Sequence, residues 1–164
     1  MLILDSNVWI HAVTIGGESE SLVNEIVHGE QTAAVDPYIN EEVRCNIDED
    51  HSVNRRLRDQ ALEKFYRAIT KCPDIHNVDS ERVSEMNLEA EREKSYYKLI
   101  GAFGDIQAKD APVLTLAYQF LTHRPTIYTN DREFASLSPT DYGVPEISIQ
   151  HVDLEWVRPE QLAE

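Results

Sequence analysis

Asp5 stands directly behind the apolar run MLIL, Glu41 and Glu42 lie early in the stretch after TAAV, Asp110 opens KDAPVLTLAYQF, and Asp131 follows TIYT in TNDREF. If these acids from four separate segments converge, they form a set of hard oxygen donors, a chemistry that favours Mg²⁺ or Mn²⁺ over zinc. The six histidines (11, 28, 51, 76, 123 and 151) show no HExxH or paired spacing suited to zinc. Each acid also has a purely structural reading. Asp5, Asp110 and Asp131 fall where helices begin, and a carboxylate capping the free N–H groups there is worth ~0.5–2 kcal/mol. Glu42 alone reads as part of a solvated helix face. A chemical role therefore requires elements that bring the four together.

Apolar periodicity supplies such elements, alternating strand and helix along the chain. MLIL reads as a short buried strand, NVWIHAV as a helix, SESLVNEIVHG as a second helix stopped at Gly29, and TAAV as the next strand. Asp36-Pro37 is a helix start, and INEEVRCNI continues it at helical spacing through Ile39, Val43 and Ile47. Residues 53–72 form the clearest amphipathic helix, with Leu57, Ala61, Leu62, Phe65, Ala68, Ile69 and Cys72 on one face and Pro73 just beyond. A second long helix is expected at about 80–103, then a break at GAFGD and a helix from Asp110 through His123-Arg124. TIYT is a strand, DREFASL a short helix and EISIQHV a last strand, while the WVRPEQLAE tail carries no functional signal. Four strands alternating with helices predict an α/β fold in three layers, with a mostly parallel sheet covered on both faces. In such sheets the site lies beyond the carboxyl ends of the strands, where the acids recur.

At 164 residues the chain is expected to form one domain, residues 1–164, with a helical excursion at about 53–103. No apolar run approaches the ~18 residues of a membrane span, and MLIL has no basic flank of a signal sequence, so a cytoplasmic product is expected. Cys45 and Cys72 lack CxxC spacing and read as free, buried thiols. The formal charge is −15, with ten arginines and only five lysines. Such a surface repels nucleic acid at low salt. A low-lysine, acid-rich surface is typical of proteins that work in concentrated salt, which points to a halophilic source; at 1 M salt the Debye length falls to ~3 Å, and bulk charge stops deciding what binds.

The ordered set LDSNVWI, an acid early in the helix after strand two, KDAPVLTLA, and T-x-D in YTNDREF resembles the PIN-domain nucleases, to which the VapC toxins belong. The blocks fall in that family's order and roughly its spacing, while residues 53–103 match none of its motifs. The resemblance implies a PIN-like fold and a metal-dependent ribonuclease in which Asp5, Glu42, Asp110 and Asp131 form an acidic pocket for Mg²⁺ or Mn²⁺. It also implies RNA as substrate, a toxin role with an antitoxin partner, and a homodimer. Between the adjacent Glu41 and Glu42, Glu42 is preferred because it precedes Val43 and lies three beyond Ile39, bordering the core. Asp105 reads as a turn residue or an auxiliary ligand. Ser6, Asn7, Thr129 and Asn130 suit hydrogen bonding to ligands or water, and equally suit turn and cap chemistry.

A polyanion needs positive charge, and residues 53–72 carry six bases against two acids. Arg56, Lys64, Arg67 and Lys71 share a stripe beside the apolar face, which serves as an RNA-binding ladder or as ordinary solvated surface. The alternative function is a catalytically degenerate PIN fold that acts as a binding module. An aspartyl-nucleophile phosphatase would need a second Asp where Asn7 stands, and no GxxxxGK[ST] phosphate loop occurs.

Overall fold

The computed structural model describes residues 1–71, 75–77 and 110–155. The helix expected at about 80–103, the GAFGD break with Asp105, Cys72 and the WVRPEQLAE tail lie outside the described residues. Among the described residues five parallel strands form the sheet, in the order β3-β2-β1-β4-β5. They are β1 (Leu2–Leu4), β2 (Ala33–Val35), β3 (Ile75–Asn77), β4 (Thr126–Thr129) and β5 (Ser148–His151). The residues of β1 and β2 are buried throughout, as continuous apolar runs in a doubly covered sheet must be. Register is set by Leu2 opposite both Ala33 and Thr126, and by Thr129 opposite His151.

Around the sheet lie α1 (Ser6–Thr14), α2 (Glu18–Val27), α3 (Pro37–Asp48), α4 (Arg55–Lys71), α5 (Ala111–Gln119) and α6 (Arg132–Ala135). The numbering covers the described residues. Because β1–β3 and β4–β5 extend the sheet in opposite directions, right-handed crossovers place α1–α4 on one face and α5 and α6 on the other. The packing agrees: α1 lies on α2, α3 and α4, while α5 packs on β4 and α6 on β4 and β5. Trp9 of α1 and Phe65 of α4, both fully buried, meet edge to face with centroids 5.4 Å apart.

Local chemistry explains the helix ends. Asp36 caps α3 by accepting the Ile39 N–H at 2.8 Å, with Pro37 behind it where a missing N–H costs nothing. Gly29, at φ +75°, ends α2 as its spacing predicts. Two expectations are corrected and one turn is added. The sheet has a fifth strand, β3, built from the mixed trio Ile-His-Asn, which shows no apolar alternation. The helix expected through Arg124 stops at Gln119 and is followed by a 3₁₀ turn, Leu121–His123, which Arg124 closes at φ +47°. A second 3₁₀ turn, Pro139–Tyr142, joins the elements expected from periodicity; at four residues it is too short to show a period of its own.

Candidate active site

The strand order reverses between β1 and β4, and the crevice beyond their carboxyl ends is where open parallel sheets bind ligands. Asp5 and Thr129–Asp131 emerge there. Asp5 is 7% exposed, and both of its carboxylate oxygens are held. Oδ1 accepts the Ser6 N–H at 2.8 Å, capping α1, and Oδ2 accepts the Thr129 hydroxyl at 2.8 Å. Thr129 Oγ1 in turn accepts the Asp131 N–H at 3.1 Å, tying the β4 turn to the β1 carboxylate. Capping thus engages one oxygen of Asp5, while the other is tied to β4.

Ser6 Oγ donates to Glu42 Oε1 and lies 3.5 Å from Asp5 Oδ1, so one hydroxyl stands between two carboxylates from α1's cap and α3. Asn7 Nδ2 donates to Asn130 Oδ1 at 3.4 Å across the same crevice. Asp131 Oδ1 accepts the Glu133 and Phe134 N–H groups at 2.9 and 3.2 Å and caps α6. Asp110 is 4% exposed at the start of α5, but it makes no side-chain capping bond, contrary to expectation. Its φ −90°, ψ −17° are already helical, whereas a capping side chain needs an extended N-cap backbone, as Asp36 and Asp131 have. Since α5 leads into β4, its start faces the same edge as Asp5.

Glu41 and Glu42 have separate partners, and their burial is the reverse of the expectation. Glu41 is 3% exposed and Glu42 only half-buried. Glu41 tolerates burial because Arg44, one turn on, binds it through Nε at 3.0 Å and through Nη2, while Cys45 Sγ donates to it at 3.3 Å. Burial pushes the Glu41 carboxyl up, but the Arg44 and Cys45 hydrogen bonds and the Arg44 charge outweigh it and hold the group below the usual carboxylate range. Burial and Glu41 push the Cys45 thiol up, so this free cysteine, half-buried and not the fully buried thiol expected, is held as the thiol.

The basic ladder lies on α4. Arg56, Lys64 and Arg67 are exposed, Arg67 pairs with Glu63 at 2.7 Å, and the Lys71 side chain lies outside the described set. Lys64 borders a cleft with Ile10 of α1 and Asn46 and Asp50 of the α3 end, not the Asp5 crevice. Among the described residues no three His, Cys, Asp or Glu side chains are drawn together as a metal cage, and no helix is long and apolar enough to cross a membrane. His151 reaches the β4 turn, its Nε2 3.2 Å from the Asn130 carbonyl oxygen, through a strand register for which a lone histidine gives no sequence signal.

No protein-family model matches the chain, and no curated protein matches it in sequence. Among solved structures it is similar to a chain of VapBC2 from Rickettsia felis, bound to a DNA fragment from their promoter, with TM-score 0.55 and 14% identity over 93% of this chain and 98% of that one. It is also similar to a chain of FitAB bound to an IR36 DNA fragment, with TM-score 0.50 and 17% identity over 92% of this chain and 94% of that one. At these identities the likeness shows the fold, and the chain has the three-layer, PIN-like α/β architecture that the sequence resemblance implied.

Proposed function

We propose that the chain is a Mg²⁺- or Mn²⁺-dependent endoribonuclease whose metal is held at the β1–β4 crevice. The observation that carries this reading is the Ser6 hydroxyl shared between Asp5 and Glu42, with Thr129 fixing the other oxygen of Asp5. The donors fit the ion. Mg²⁺ retains several waters and needs only one or two protein carboxylates beside substrate phosphate, so Asp5 and Glu42 suffice without a closed cage. Asp110 and Asp131 lie on the same edge but are not drawn into a cage with them, so they would meet the ion through its retained waters. When bound, the metal would activate water, neutralise the phosphate and stabilise the leaving oxygen. The chain's own part is positional: Ser6 N–H and Thr129 fix the plane of the Asp5 carboxylate, Ser6 Oγ orients Glu42, and Asn7 and Asn130 close the rim.

The test separates neighbouring acids. Glu42→Gln should abolish cleavage of RNA in Mn²⁺ with the fold intact. Glu41→Gln should leave cleavage largely unchanged and lower stability by about 1–3 kcal/mol, the usual scale for a hydrogen bond to a charged partner. Because folding lowers the Glu41 pKa, its stabilisation is complete above the ordinary carboxylate range and is lost as pH falls through the lowered value. The stability gap between Glu41→Gln and wild type should therefore close in acid. The reverse pattern of cleavage would assign the site to Glu41.

For substrate binding we propose the α4 ladder. Replacing Arg56, Lys64, Arg67 and Lys71 by Gln should weaken RNA binding and reduce the slope of log K against log salt by ~0.7 for each phosphate that the ladder no longer neutralises, with cleavage at saturating RNA little changed. An unchanged slope would make the ladder ordinary solvated surface. The resemblance to VapC toxins, together with the fold likeness to a VapBC2 chain, supports a toxin role, an antitoxin as partner protein and a homodimer. The second reading, a degenerate PIN-like binding module, draws on the uncollected acids and the Asp131 cap. It predicts metal responses indifferent to Asp5.

A further inference from the structure

We propose that His151, at the end of β5, is a positioning residue of this site, acting through the Asn130–Asp131 peptide and Thr129 on the Asp5 carboxylate. His151 Nε2 lies 3.2 Å from the Asn130 carbonyl oxygen. A carbonyl only accepts, so Nε2 carries the proton and donates it. The same planar peptide presents the Asp131 N–H at its other end, and that group donates to Thr129 Oγ1 at 3.1 Å. Thr129, fully buried, then donates to Asp5 Oδ2 at 2.8 Å. The result is an unbroken line of donors and acceptors from the β5 imidazole to the β1 carboxylate, in which each bond polarises the next.

Rotation of this peptide would release Thr129 and re-aim Asp131 together. The main chain alone does not prevent it: Val152 N–H fixes the Thr129 carbonyl at 2.8 Å, one peptide earlier. Asn7 reaches only the Asn130 side chain, at 3.4 Å. His151 is the side chain that holds the carbonyl end of the decisive peptide, and next to it Asp153 accepts from Arg132 at 3.2 Å.

The functional half of the proposal rests on the metal reading above, so the test carries a readout independent of metal. Wild type, His151→Ala and His151→Gln are compared by amide hydrogen exchange in EDTA and by Mn²⁺ titration, with kcat and KM for RNA measured at subsaturating Mn²⁺. His151→Ala should speed exchange of the Asp131, Glu133 and Phe134 amides, weaken Mn²⁺ binding about 10-fold, the scale for losing an outer hydrogen-bond partner of a ligand, and lower kcat without raising KM. His151→Gln, whose amide can donate to the same carbonyl, should restore all three. Unchanged Asp131 exchange in His151→Ala, or a Gln variant as defective as Ala, would overturn the proposal. Wild type that binds no Mn²⁺ would overturn the metal reading and with it the functional half, while the exchange data would still decide whether His151 holds the peptide.

Discussion

Asp5→Asn should reduce Mn²⁺-dependent RNA cleavage by more than the ~10–100-fold that loss of an outer hydrogen-bond partner costs, in a protein that still folds. The fold survives because Asn caps helices about as well as Asp, so the Ser6 N–H keeps its acceptor, and the Thr129 hydroxyl can turn to accept from the new amide. What is lost is charge. Asp5 and Glu42 share a single hydroxyl, and two carboxylates that close repel each other in the metal-free protein. Asp5→Asn removes that repulsion, so the metal-free variant should be at least as stable as wild type even as activity disappears. Wild-type cleavage by the purified variant would remove Asp5 from the chemistry.

Mg²⁺ or Mn²⁺ should stabilise the folded protein, because the carboxylates are juxtaposed in the native state and scattered in the unfolded chain. At free metal ~100 times Kd, linkage gives about 2.7 kcal/mol. For a chain of this size that corresponds to a rise in Tm of roughly 5–11 °C. A protein of charge −15 gains stability from any cation that screens its surface, so the comparison belongs at fixed, high ionic strength, metal against EDTA. Asp5→Asn should lose most of the rise. An equal rise in wild type and variant would mean that the ions act on the acidic surface at large, and the binding-module reading would then lead.

The parts of this architecture legible in the sequence are those where one physical signal dominates. MLIL, TAAV and TIYT read as strands because each is a short, largely apolar or β-prone run bounded by turn or cap residues, and Asp36-Pro37 reads as a helix start because the side-chain acceptor and the missing N–H both favour it. β3 was hidden because Ile-His-Asn has neither alternation nor length; its strand character comes from pairing with β2. The break after Gln119 was hidden because Leu121 continues the apolar pattern across it.

The same division holds at the site. That the MLIL strand, the helix after TAAV and the TIYT strand would bring acids to one edge follows from topology, and Ser6 and Thr129 could be named as hydrogen-bonding neighbours from their positions beside Asp5 and Asp131. The sharing of Ser6 between Asp5 and Glu42 could not, since it depends on how α1 packs against α3. Nor could the burial of Glu41, which becomes tolerable only when Arg44 folds back onto it.

If one bound metal ion both completes this crevice and enables cleavage, a single Mn²⁺ titration at constant ionic strength will show the two together. Aliquots of wild-type protein are read in parallel for Tm and for the rate of cleavage of a labelled single-stranded RNA. Both should rise with the same midpoint in Mn²⁺, and EDTA should reverse both. Cleavage that persists in EDTA, or a Tm rise that saturates with no cleavage at any Mn²⁺ concentration, would contradict a metal-dependent nuclease site at the β1–β4 crevice.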